Sequence, residues 1–150
     1  MRILIAALCL SPFYSQTVFS MDVREATAQL TQAEQRWKTA APTSYSFTVR
    51  YSAFVLTYGC QSQTFRVTGP RSTPKLSFGC KSQPQKLGSI PALFHLAHEL
   101  LAEHPDEVSA DYDSTYGYPI KFYVGSTDID DNYFQFEIAE FKVADGKSNP

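Results

Sequence analysis

The chain has 150 residues, is 43% hydrophobic and 19% charged, and fits one domain. That balance excludes a disordered chain. A formal charge of -2 with no run of Lys or Arg argues against a nucleic-acid partner.

Residues 1–20 are set apart first. Arg2 precedes the unbroken apolar run Ile3 to Leu10, and Val18 and Ser20 stand at minus three and minus one of a cut before Met21. This is the layout of a secretory signal peptide; the competing reading is a buried N-terminal strand. The run is shorter than the about 20 residues a spanning helix needs, so no transmembrane segment is expected once the signal is cleaved. Leu8 precedes Cys9 where a lipoprotein signal carries a small residue, and lipidation is not expected. The expectation is an exported protein, periplasmic or secreted, with one domain over 21–150. Cleavage takes away Arg2 and no acid, so the charge moves by one unit from -2 to -3. It also removes Cys9. Cys60 and Cys80 remain, and two cysteines in an exported chain favour one disulfide.

Asp22 to Thr39 reads as a helix. Val23, Ala26, Leu30, Ala33 and Trp37 form one stripe at spacings of three and four. Asp22 with Glu25 resembles a capping box, and Glu34 with Lys38 is a favourable i,i+4 pair. Pro42 ends the pattern. Tyr45 to Val55 alternates like a half-buried antiparallel strand, with Tyr45, Phe47, Val49 and Tyr51 on one face and Ser46, Thr48, Arg50 and Ser52 on the other.

Cys60 to Cys80 reads as a hairpin about Gly69-Pro70-Arg71-Ser72, with Leu76 and Phe78 on the return strand. Folding about a centre between Pro70 and Arg71 brings Cys60 opposite Cys80 or its neighbour. Lys81 to Gly88 reads as a loop. Ser89 then caps a second helix with Pro91 in its first turn and Ile90, Leu93, Phe94, Ala97, Leu100 and Leu101 on a broad apolar face. His104-Pro105 stops it.

Val108 to Val124 reads as strand, tight turn, strand. Val108, Ala110 and Tyr112 alternate with Ser109, Asp111 and Asp113. Gly117 supplies the turn, and Ile120, Phe122 and Val124 resume the pattern after Pro119. An acidic loop carries Asp128, Asp130, Asp131 and Asn132. The last strand has Phe134, Phe136 and Ile138 on one face, then Phe141 and Val143 out of phase by one. Either a β-bulge lies near Ala139-Glu140 or the strand ends there. The fold class expected is α+β: an antiparallel sheet of five or six strands with two amphipathic helices packed on one face.

Several residues are candidates for chemistry. His95, His98 and Glu99 form H-L-A-H-E on the second helix, which matches neither the zincin motif nor its inverse. Asp128, Asp130 and Asp131 gather oxygen ligands that suit calcium, but the EF-hand pattern fails at Tyr133 and Ala139. Asp111 and Asp113, two apart on a strand, share a face and offer a carboxylate pair for acid/base work. No nucleophile elbow, dinucleotide fingerprint or P-loop is present, and no cofactor is expected. Tyr112, Tyr116, Tyr118 and Tyr123 stand beside these aspartates. Tyrosine is enriched in binding surfaces, and equally it can simply cover a sheet edge.

Trp37, Pro42, Ser44-Tyr45-Ser46-Phe47, Ile90, Leu93-Phe94, Val108, Asp111-Tyr112-Asp113, Gly117-Tyr118-Pro119 and Asp131 come in a recognisable order. Over about residues 30–143 the chain resembles domain of unknown function 6174, a family of small bacterial secreted proteins and lipoproteins. Many members of that family carry two cysteines flanking one residue late in the first strand, where this chain has Ala53 and Val55. The resemblance implies a secreted α+β domain and no activity. The function expected is a non-enzymatic domain binding another protein or an envelope component through Asp111, Tyr112, Asp113, Tyr116 and Tyr118. The alternative is a small metal-dependent or acid/base hydrolase using Asp111 and Asp113 or the helical histidines.

Overall fold

A computed structural model describes residues 21–53, 62–75, 84–127 and 133–144. Residues 1–20, Cys60, Cys80, Leu76, Phe78 and the acidic loop with Asp128, Asp130 and Asp131 lie outside the described residues.

Helix α1 runs Val23–Ala40, and its buried residues are the expected stripe of Ala26, Leu30, Ala33 and Trp37. Asp22 is the N-cap and accepts from the Arg24 amide at 3.1 Å. Glu25 does not close the capping box, because its carboxylate accepts from Gln29 one turn on. Glu34 and Lys38 pair at 2.9 Å.

Strands β1 (Ser44–Ala53), β2 (Ser62–Thr68), β3 (Arg71–Pro74), β4 (Glu107–Tyr112), β5 (Pro119–Gly125) and β6 (Tyr133–Val143) form one antiparallel sheet in the order β3-β2-β1-β6-β5-β4. The first long strand thus pairs with the last. Thr68 lies opposite Arg71, so the β2–β3 turn centres between Gly69 and Pro70, one residue earlier than the composition predicts. Gly69 takes φ 55, which permits the tighter turn. The expected loop at 81–88 holds a one-turn helix α2, Pro84–Leu87, tied to β3 by the Ser72 hydroxyl donating to the Gly88 carbonyl.

Two register shifts explain the irregular patterns. Thr48 pairs with Glu140 but Val49 with Ile138, so Ala139 is an extra residue. The bulge carries the strand on to Val143 and returns Phe141 to the face of Phe47. Asp111 pairs with Lys121 but Tyr112 with Pro119, which makes Ile120 extra. Ile120 is therefore 38% exposed, and Pro119 takes the buried place that alternation assigns to Ile120.

Helix α3 spans Ile90–Ala102 with Ser89 as N-cap, accepting from the Ala92 amide at 3.2 Å. Leu96 joins its buried face, whereas Leu100 is only partly covered. Both long helices reach the Tyr45 side of β1. The Trp37 ring stands edge-on to Tyr45 at 5.3 Å, and the Ile90 amide donates to the Tyr45 hydroxyl at 3.2 Å. Phe47, Phe65, Phe94, Phe122 and Phe136 are fully buried there. Truncating one such ring costs about 3–5 kcal/mol.

Candidate functional site: the turn from Asp111 to Pro119

Asp113 does not share the strand face of Asp111. β4 ends at Tyr112, and beyond it the Asp113 carboxylate turns back on the loop. Its Oδ1 accepts from the Thr115 amide at 3.0 Å and the Tyr116 amide at 2.6 Å, the Asx-turn habit of this side chain. The Asp113 amide donates to the Tyr118 carbonyl at 2.9 Å, and the Gly117 amide to the Asp113 carbonyl at 3.0 Å. Asp111 is exposed and faces Lys121 across the strand pair. The expected carboxylate pair is thus divided between a solvated strand position and a structural turn cap.

The turn is fastened to α1. Gly117 sits at φ 84, and a Cβ on it would come within 2.9 Å of the Arg36 Cβ and 3.2 Å of the Trp37 amide. Arg36 also donates from Nη1 to the Asp113 carbonyl at 3.3 Å.

The tyrosines are more inward than an edge cover requires. Tyr118 stacks on Phe141 at 4.4 Å and 19°. Tyr116, at the apex, lies 5.6 Å from the same ring and packs on the core. Burial pushes the Tyr118 phenol up, with the Asp113 charge adding to it. The Tyr112 ring packs on the core, its hydroxyl is buried with no hydrogen-bond partner among the described residues, and burial raises its phenol well above the ordinary value. Tyr123 donates to Glu107 at 3.2 Å, with burial and then the Glu107 charge raising its phenol.

The helical histidines are engaged in pairs. His98 Nε2 lies 3.3 Å from Glu34 Oε2, joining α3 to α1. His95 lies 3.7 Å from Glu99 on its own helix. Glu34 thus receives both Lys38 and His98, and its carboxyl sits below the ordinary value, chiefly through the Lys38 hydrogen bond. Among the described residues no three His, Cys, Asp or Glu side chains gather where they could hold a metal ion. Nor is any described helix long and apolar enough to cross a membrane.

One feature escapes a reading by element. The small net charge of -2 conceals two strongly opposed segments. From Gln35 through His98 there is no Asp or Glu, while eight Lys and Arg fall there. Glu99 onward holds twelve of the 15 acids. Counting charge in windows along the chain finds this at once.

Six antiparallel strands with amphipathic helices, and a loop clamped to the first of them, define an α+β domain. The chain belongs to the family of unknown function DUF6174, whose model matches residues 29–143. No curated protein and no solved structure matches it.

Proposed function

We propose that this chain is an exported, non-enzymatic binding domain whose recognition surface is the Asp111–Tyr118 turn. It would engage another protein or an envelope component. The observation that carries this reading is the seat of Gly117 on α1. A loop held by backbone-to-helix contact presents Asp111, Ser114 and Thr115 to solvent in one arrangement. Little ordering entropy is then left to be lost on binding. Export rests on the signal-like residues 1–20. The Met21 amide donates to the Val108 carbonyl at 2.9 Å, a bond that an N-terminal amine at Met21 retains.

The hydrolase alternative is less favoured, because Asp113 serves two backbone amides and His98 serves Glu34. The test uses exposed positions only. Asp111→Asn and Thr115→Arg should keep the wild-type melting temperature and lose cross-linking to an envelope partner that the wild type captures. Gln32→Arg, on the exposed side of α1, is the control. Unchanged cross-linking by both turn variants would overturn the proposal.

A further inference from the structure

The strand order turns the segregation of charge along the chain into two halves of one sheet. The acid-free segment contains β1, β2 and β3, and these lie side by side at one end of the order. On the face away from the helices they carry Arg50, Arg66 and Arg71, all exposed, among the hydroxyls of serines and threonines. Thr48 and Thr64 share one such bond at 2.9 Å. Arg66 lies opposite Thr73 and Thr68 opposite Arg71, so the two arginines occupy diagonal positions of one hairpin. With Thr68, Pro70 and Thr73 they line a depression of ≈ 400 Å³.

Among the described residues nothing of opposite sign answers them. The described ion pairs are Glu34 with Lys38 and His98, His95 with Glu99, and Lys142 with Glu140, and none includes Arg66 or Arg71. The nearest acids in register stand on β6, where Glu137 faces Arg50 and Glu140 faces Thr48. No residue from Gln35 to His98 can supply a carboxylate, because none is acidic. Unpaired like charges on adjacent strands repel one another, and a bound anion relieves that repulsion.

The chemistry of the surface selects the anion. The arginine fork matches phosphate oxygens in pairs. The outward positions of β1, β2 and β3 are Ser, Thr and Arg, with no aromatic ring on which a base could stack. A nucleic-acid strand crossing the sheet would also meet Glu137 and Glu140. A planar array of phosphates approached from the β3 side meets only the basic half. The large exposed apolar side chains among the described residues are Ile120 and Val143, on β5 and β6, so the described residues of this half offer no large apolar side chain to lipid tails.

We propose that the outward face of the β2–β3 hairpin, centred on Arg66 and Arg71, docks reversibly on an anionic lipid surface by pairing its guanidinium groups with headgroup phosphates. The surface is separate from the Asp111–Tyr118 turn, and the inference stands whether or not that turn binds anything. The sheet's charge division orients the approach, with β3 toward the lipid and β4 away.

The test is co-sedimentation of the full chain with phosphatidylcholine vesicles and with vesicles containing phosphatidylglycerol. The neutral vesicles subtract any contribution of the apolar run near the N-terminus. The expected result is an excess on anionic vesicles that fades as salt shortens the Debye length. Arg66→Ala with Arg71→Ala should lower that excess about thirty-fold, as two basic residues near such a surface imply. Arg66→Lys with Arg71→Lys should keep most of it. Thr68→Glu, a substitution at an exposed position, should abolish it. No anionic excess in the wild type, or an undiminished excess in the double alanine variant, would overturn the inference. So would binding of a single-stranded oligonucleotide without an anionic-vesicle excess.

Discussion

Gly117 and Ala33 meet backbone to backbone. The loop residue sits so close to the helix that no Cβ fits between it and the Ala33 carbonyl oxygen. One contact of this kind joins the β4–β5 turn to α1 without an intervening side chain.

Gly117→Ala should therefore cost more than the about 1 kcal/mol that a left-handed φ alone imposes. The added methyl group meets helix backbone, which cannot rotate away as a side chain can. The expected loss is about 2–4 kcal/mol, in the range of an overpacked contact plus strain. Urea denaturation of the variant measures it. A loss below about 0.5 kcal/mol would show that the turn can lift off α1 freely.

Asp113 should matter for its oxygen and not for its charge. Asp113→Ala leaves the Thr115 and Tyr116 amides without their acceptor and should cost about 1–2 kcal/mol, as loss of a comparable cap does. Asp113→Asn keeps an acceptor oxygen and should recover most of the loss. Equal unfolding midpoints for the two variants would contradict this assignment.

The Tyr118–Phe141 stack should be visible as coupling. A double-mutant cycle with Tyr118→Ala and Phe141→Ala should return about 0.5–1.5 kcal/mol of interaction energy, typical of aromatic pairs. Tyr116→Ala should also destabilise, since its ring packs on the core beside Phe141.

Glu34 should make stability pH-dependent in one direction. Its folded-state carboxyl lies below the ordinary value of 4.5, first through Lys38 and then through His98. A depressed acid stabilises above its unfolded pKa, and that contribution disappears as pH falls through the folded value. Glu34→Gln should thus be less stable than wild type at neutral pH. The difference should close as pH falls below 4.5. The partial exposure of the pair keeps the effect modest. Parallel unfolding curves at all pH values would remove the argument.

The two proposals about export can be read from the same sample. The exported protein should begin at Met21 by intact mass, and its Cys60 and Cys80 thiols should resist labelling until reduced. Replacing both cysteines by Ala should then cost about 2–5 kcal/mol. A protein that retains residues 1–20 and whose Cys60 and Cys80 both label without reduction would refute both.

Much of the fold was legible in the residues. Period-two and period-3.6 patterns depend only on which side of an element meets the core, so α1, α3 and most strand faces could be read directly. The one-residue slip at Phe141 left two readings, a bulge near Ala139-Glu140 or the end of the strand, and the pairing with β1 selects the bulge at Ala139. Other features needed the tertiary structure. Ile120 keeps the apolar alternation and is exposed all the same, since a register shift depends on the partner strand. The turn aspartates and tyrosines looked free for recognition. Yet Asp113 and Tyr118 are held by amides and rings brought near by the turn and by β6. The charge segregation is written plainly along the chain, between Gln35 and His98 on one side and Glu99 onward on the other. Its meaning is not, because a sequence segment becomes a surface only when strand order lays its members side by side. The placement of β1 next to β6 divides one sheet into a basic and an acidic half, and no local pattern encodes that long-range pairing.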